Sequence, residues 1–364
     1  MLYTTPDLQP HQQTLDTLAD LRRRLGAEVA RAAPWMGPLR RQARVEAATS
    51  STAIEGFHVA PRAAAQVIDG GLPATSDPEK ALAGYALAMA HVAVLADDPF
   101  FDWSMRLLLD LHFELCAGAP TAHPGRLREG AMGVTAPGGG VAYRAPDAAA
   151  LPNLLVALVD WLQRDEGPVV VRAAMAHLHL VSIHPFRDGN GRLSRVLQSL
   201  VLAREGLLPA EMGSIEAQLA RDTGAYYAVL QRVQGGSYQP TRSAQPWVEF
   251  VLDAHIVQAR ERLTTIDQAA ARWAVLEALV AARGWPERLQ IALEQSLFLG
   301  VDRTGYMAEA DVSPATASAD LRRLADAGLV EQVGRGPETR FVASATLREL
   351  TGSESSAVGI RTRR

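Results

Sequence analysis

A mainly α-helical fold is predicted, with one β-hairpin in the first two-thirds of the chain and a smaller module near the C-terminus. Two observations carry this. Apolar residues recur at spacings of three and four along most of the chain, as in Leu15, Leu18, Leu21 and Leu25, and such spacing lines one face of a helix. Strand signals are scarce. They are confined to a glycine-rich stretch between Pro124 and Pro146 and to the end of the segment Tyr306 to Val342.

Residues 1–98 read as an N-terminal helical region, continued by Val45, Ile54, Val67 and Ile68. Residues 99–240 read as a core. Pro99 and Phe100 to Trp103 turn the chain into a helix with the buried stripe Leu107, Leu108, Leu111 and Leu115, ending near Gly118. Gly130, Gly133, Gly138, Gly139 and Gly140, flanked by Val134, Val141 and Tyr143, suit a short hairpin with a glycine turn. Helical periodicity resumes from Leu151 to Leu162 and from Val170 to Ile183, stops from His184 to Gly191, and resumes from Leu193 to Ala203. Residues 241–295 form a helical connector, 296–350 the C-terminal module, and 351–364 a polar, flexible tail. No repeat is visible, and alanine richness is the only compositional bias.

With 48% hydrophobic residues among 364, the chain has apolar surface for two or three cores. A net charge of -4 argues against attraction of the whole protein to nucleic acid and leaves only a local basic surface. Cys116 is the one cysteine, so no internal disulfide forms, and it reads as a small buried hydrophobe. Lys80, the only lysine, has no glycine-rich setting, which excludes a Walker-type phosphate loop. Met1 to Gln13 has no basic region followed by an apolar run, and no stretch is read as approaching the about 20 apolar residues of a membrane span. A cytoplasmic location without membrane contact is the expectation.

The interrupted helix is the place for chemistry. His184-Pro185-Phe186-Arg187-Asp188-Gly189-Asn190-Gly191-Arg192-Leu193-Ser194-Arg195 packs polar and glycine residues between two apolar helices. Gly189 and Gly191 let backbone N–H groups approach an anion, and the helix starting near Arg192 turns its positive end to the same place. Arg192 and Arg195, three apart, share a face and can grip phosphate oxygens. Asp188 offers a hard oxygen for Mg²⁺. Asn190 can donate to a further oxygen. His184, with an ordinary pKa near about 6.5, supplies a neutral imidazole as base. Pro185 and Phe186 read as packing that fixes the loop.

This run resembles the signature of the Fic (filamentation induced by cAMP) family, His-x-Phe-x-(Asp/Glu)-Gly-Asn-Gly-Arg-x-x-Arg, with every fixed position matched. The resemblance implies the family's helical core over about Pro99 to Gln234. It also implies the family's reaction, attack of a protein Ser, Thr or Tyr hydroxyl, including one of its own, on the α-phosphate of ATP with loss of pyrophosphate. By position, His184 is then the base, Asp188 the Mg²⁺ ligand, Asn190 with Gly189 and Gly191 the α-phosphate contacts, and Arg192 and Arg195 the β- and γ-phosphate contacts. Relatives that phosphorylate their target carry a lysine where Gly191 stands here. Met132 to Tyr143 looks like the family's flap, which would hold a target segment by β-augmentation. Tyr226 and Tyr227 resemble the aromatic pair after the signature, with one member lining the adenine pocket or packed in the core.

Ser51-Thr52-Ala53-Ile54-Glu55-Gly56, in a helix over about 40–56, resembles the family's inhibitory pattern (Ser/Thr)-x-x-x-Glu-(Gly/Asn). Ser51 and Glu55 share a helical face, and Gly56 suits the helix end. Glu55 paired with Arg195 would deny the γ-phosphate its arginine, whether within one subunit or across a homodimer. In some relatives the same glutamate serves AMP removal, and the sequence leaves both roles open. From Ala308 to Val342 the pattern looks like a winged helix-turn-helix. Its second helix, about Pro314 to Ala327, would present Ser313, Thr316 and Ser318 to DNA, with Arg335 or Arg340 on the wing. Protein docking on the same module is the alternative. Three readings follow: an adenylyltransferase restrained by Glu55, a Fic enzyme using another nucleotide or removing AMP, and a DNA-binding regulator with an inactive loop.

Overall fold

The structure, a computed structural model, describes residues 1–135, 141–164, 166–298, 300–336 and 339–353. The glycines 138–140 expected at the hairpin tip and most of the expected tail, 354–364, lie outside the described residues. The chain divides into two compact units, Met1–Ala32 with Leu39–Leu263, and Ala33–Pro38 with Thr264–Arg364.

The first unit holds α1 (Gln12–Val29), most of α2 (Met36–Ile54), α3 (Pro61–Ile68), α4 (Asp77–Asp97) and α5 (Met105–Cys116). The hairpin β1 (Gly133–Thr135) and β2 (Val141–Arg144) follows, then α6 (Leu151–Gln163), α7 (Val169–Ile183) and α8 (Asn190–Ala203). The unit closes with α9 (Ala210–Gly213), α10 (Glu216–Arg221), α11 (Thr223–Gln234) and the first part of α12 (Gln245–Ala282). Helices α7 and α8 are its centre. All of α7 from Ala173 to Ile183 is buried, as is all of α8 from Arg192 to Ala203, so both are enclosed on every side. The hairpin is antiparallel, with Gly133 opposite Arg144 and Val134 opposite Tyr143.

Local chemistry sets the helix ends. Ser76 and Glu79 form a capping box at the start of α4, and the Ser104 hydroxyl accepts from Leu107 N at the start of α5. A Cβ on Gly84 would lie 2.4 Å from the Leu115 carbonyl oxygen, so that glycine lets α4 lie close on α5. By length and composition α4 is apolar enough to cross a membrane, which corrects the sequence reading that no stretch approaches one. Leu82, Tyr85, Ala88 and Val92 of this helix are buried within the unit.

The second unit holds the rest of α12, α13 (Leu289–Leu297), α14 (Arg303–Ala310), α15 (Pro314–Asp326), β3 (Val330–Val333), β4 (Arg340–Ala343) and α16 (Ala345–Thr351). Val301 adds a one-residue third strand, with backbone bonds of 2.8 and 2.7 Å to Phe341. Residues 264–295, read from sequence largely as connector, supply Leu276, Val280, Leu289 and Leu293 to this unit's core. The three hydroxyls expected to face DNA serve α15 itself. Ser313 Oγ caps it by accepting from Thr316 N at 3.2 Å and lies 2.9 Å from Thr316 Oγ1, while Ser318 Oγ donates to the Pro314 carbonyl at 2.9 Å.

Candidate active site

Helix α7 stops at Ile183 because His184 turns left-handed, with φ at 50°, its N–H capping the helix on the Leu180 carbonyl at 3.0 Å. The loop to α8 is then closed by Asn190. Its Oδ1 accepts from Phe186 N at 3.0 Å and its Nδ2 donates to the Phe186 carbonyl at 2.9 Å. Phe186 is fully buried and stacks on His112 of α5, the ring centres 3.7 Å apart and 8° from parallel. His112 accepts from Gly125 N at Nδ1 (2.9 Å) and donates from Nε2 to the Asp188 carbonyl (2.9 Å), which fixes a neutral tautomer. Burial pushes its pKa down to about 4. Gly189 opens α8 with φ at 77°, and a Cβ there would lie 2.8 Å from Cys116 Sγ. Cys116 is buried, as expected.

On this frame the reactive groups converge. His184 is half-buried, and its Nδ1 donates to the Val181 carbonyl at 3.2 Å, which leaves Nε2 to accept a proton. Burial, with help from Arg128, lowers its pKa against the opposing pull of Glu55 and Asp188, so the imidazole is neutral at pH 7. Arg192 and Arg195 lie on α8 with 3% and 1% exposure. Arg192 Nε and Arg195 Nη1 are buried without a hydrogen-bond partner among the described residues. Asp188 is exposed, its Oδ1 accepting from Gly189 N at 2.6 Å and its Oδ2 3.8 Å from Arg192 Nη2. Two unpartnered guanidinium nitrogens near a helix start suit an anion.

Arg195 is held from the end of α2. Arg195 Nε donates to Ser51 Oγ at 2.8 Å, and Nη2 donates to the Ser51 carbonyl at 2.9 Å and to Glu55 Oε1 at 2.8 Å. Burial disfavours the charge on Arg195, and the Glu55 carboxylate more than offsets that, so its pKa rises. Glu55 reaches the glycine loop as well, since a Cβ on Gly191 would stand 2.3 Å from Oε1. Gly56, with φ at 84°, turns the chain away after α2, as its position in the sequence suggests.

Residues 102–202 match the family model described as the Fic/DOC family. The chain carries a Fic/DOC domain. Protein adenylyltransferase fic-1 of Caenorhabditis elegans is 32% identical over 137 residues, covering 36% of this chain and 24% of that protein. A probable protein adenylyltransferase of Aquifex aeolicus, aq_aa38, is 37% identical over 70 residues, covering 19% of this chain and 22% of that one. The chain thus spans about a quarter of the length of these curated relatives. Among solved structures, a Fic family protein from Desulfovibrio desulfuricans G20 superposes with a TM-score of 0.61 at 22% identity, over 95% of this chain and 98% of that one. Fic-1 from C. elegans gives 0.56 at 22% identity, over 71% and 73%. The mainly α Fic fold expected from the sequence is therefore the fold of this chain.

The Fic loop brings together His184, Asp188, Gly189, Gly191, Arg192 and Arg195, with Ser51 and Glu55 against them. It assigns Asn190 differently, because both ends of the Asn190 carboxamide bind Phe186 and its side chain braces the loop. The tyrosine pair divides. Tyr226 is buried at 1% exposure, its hydroxyl 3.1 Å from His177 Nε2, and belongs to the core. Tyr227 is 40% exposed and donates to the Ile54 carbonyl at 3.2 Å, where α2 ends. Sequence reasoning missed His112 and Arg128. His112 and Cys116, four apart on α5, share the face beneath the Fic loop, a spacing visible in the sequence without any hint of what it would meet. Arg128, one of two arginines just before the hairpin, gave no signal.

Proposed function

We propose that this chain is a protein adenylyltransferase that moves AMP from ATP to a Ser, Thr or Tyr hydroxyl, and that Glu55 restrains it. The observation that carries this reading is one helix start where a neutral imidazole faces the same loop as two buried guanidinium groups with unpartnered nitrogens. His184 Nε2 takes the proton as the hydroxyl oxygen bonds to the α-phosphorus, and the bond to pyrophosphate breaks. The N–H groups at the start of α8 face the α-phosphate, and Arg192 and Arg195 hold the leaving phosphates. Tyr227, with ring surface exposed, is the member of the tyrosine pair available to adenine.

No group of three or more His, Cys, Asp or Glu suited to a metal occurs among the described residues. The single exposed carboxylate of Asp188 fits Mg²⁺, which takes its other ligands from water and phosphates. When bound there, the ion would offset phosphate charge. Restraint follows from Glu55 holding the Arg195 nitrogen that a γ-phosphate would need. The C-terminal unit, with Arg322, Arg323 and Arg335 exposed, supplies a docking face for DNA or a partner protein.

The test is incorporation of label from α-labelled ATP with Mg²⁺, into the protein itself and into a lysate, for wild type, Glu55→Gly and Glu55→Gly/His184→Ala. Labelling should rise about 100-fold in Glu55→Gly and vanish in the double variant. Equal labelling in all three would overturn the reading.

A further inference from the structure

Arg128 lies between the hairpin and the base, and in the chemistry above it enters only as a charge that helps keep His184 neutral. It is buried, with 7% exposure, and no carboxylate lies within ion-pair distance of it among the described residues. Each side-chain nitrogen instead donates to a carbonyl: Nε to His184 at 2.8 Å, Nη1 to Gly130 at 2.7 Å and Nη2 to Pro146 at 2.5 Å. Its own N–H donates to the Pro185 carbonyl at 3.0 Å. Gly130 precedes β1 and Pro146 follows β2, so one planar fork joins both roots of the hairpin to the base residue. A second attachment runs beside it, where the buried Tyr143 hydroxyl of β2 donates to the Ser182 carbonyl, two residues before His184.

The geometry matters because His184 sits in left-handed backbone, which a residue with a Cβ holds only when its surroundings impose it. A buried cation with no carboxylate within ion-pair distance among the described residues is likewise tolerated only where its hydrogen bonds are made. Lysine, a point charge with one nitrogen, cannot reach three carbonyls in the plane that a guanidinium spans.

We propose that Arg128 is a positioning residue for the transfer, holding the His184 main chain and the acceptor-binding hairpin in one register through three carbonyl groups. This rests on the adenylyltransferase reading and names a residue that serves it without touching ATP. A hairpin that slips relative to His184 would still bind nucleotide but would present the hydroxyl out of line with Nε2.

The test compares Arg128→Met and Arg128→Lys in the Glu55→Gly background by kinetics with labelled ATP, by ATP calorimetry and by amide hydrogen exchange. Arg128→Met should lower kcat about 100-fold, with ATP Kd changed by less than about twofold because the arginines of α8 are untouched. Arg128→Lys should restore little of kcat. Exchange should accelerate together in 130–135, 141–146 and 182–186 in both variants. Retained kcat in Arg128→Met, full kcat in Arg128→Lys, or ATP affinity falling in parallel with kcat would each overturn the proposal. If Arg128→Met does not fold, the lysine variant decides alone. If the Glu55→Gly parent transfers no label, the adenylyltransferase reading fails, and the exchange pattern still decides whether Arg128 ties hairpin to histidine.

Discussion

Arg195 and Glu55 grip one another across 140 positions of sequence, Nη2 donating to Oε1 at 2.8 Å, with the guanidinium buried and the carboxylate 29% exposed. The pair gives Arg195 its only carboxylate among the described residues, while Ser51 supplies two neutral contacts. Removing the carboxylate as Glu55→Gly leaves a buried cation uncompensated, a loss of about 1–3 kcal/mol once the partial exposure of Glu55 is allowed for. Phosphate would replace what was removed. Thermal melts with and without MgATP should therefore show a lower Tm for the free variant and a larger rise on adding nucleotide than wild type gives. Equal rises would mean that Glu55 and the nucleotide do not compete for Arg195.

Gly191 is kept small by the same carboxylate. In Gly191→Ala the new Cβ would fall 2.3 Å from Glu55 Oε1 and 3.4 Å from Arg195 Nη1. Wild type should lose about 1–3 kcal/mol, the range for forced overpacking. In Glu55→Gly the clash is gone, and alanine's better helix propensity makes the change neutral or slightly stabilising. Urea melts of the four proteins should give a coupling of about 1 kcal/mol or more. Additive losses would place the strain elsewhere.

The Fic loop was legible in the sequence because its chemistry is contiguous, from His184 to Arg195, and the contact on it because Ser51 in the last turn of α2 and Glu55 just past its end stand four apart. What the sequence could not carry was the direction of side chains within that run. Asn190 reads as a phosphate donor by its place beside two glycines, yet a carboxamide at the start of a helix can equally close the loop before it, and here it does. Tyr226 and Tyr227 are alike in sequence and separate only when α11 packs, with Tyr226 turned to His177 and Tyr227 to α2. Arg128 acts through carbonyl groups, which every residue has, so no partner residue type betrays it. The start of the second unit is hidden in the sequence for a similar reason. Leu276 and Val280 continue the helical pattern of α12 without a break, and only the fold tells which core they join.

Asn190→Ala separates the two roles of that side chain. A phosphate contact alone would leave the nucleotide-free protein as stable as wild type. A brace would not, because truncation leaves Phe186 N buried without its acceptor. The expected loss is about 1–3 kcal/mol, read from urea unfolding without nucleotide, accompanied by faster exchange at Phe186.

Acid should destabilise the fold through its buried histidines. Burial pushes His112 down to about 4 and His177, His179 and His255 down to about 3, from an ordinary 6.5. Below pH 6.5 the unfolded chain takes up protons that the native state refuses, so stability is full above that pH and falls as pH drops toward these native values. Each such histidine contributes a slope approaching about 1.4 kcal/mol per pH unit within the window. His179 is the cleanest case, because both of its ring nitrogens are buried without partners among the described residues and the ring packs between Tyr3 and Trp161. His179→Phe keeps the aromatic packing, removes two unsatisfied polar atoms and deletes one titrating group. The variant should be at least as stable as wild type at pH 7, and its unfolding free energy should fall less steeply between pH 6 and about 4, by close to one proton's worth of slope. Urea unfolding across that range would decide the matter, since an unchanged slope would mean that His179 is protonated in the native state as readily as in the unfolded one.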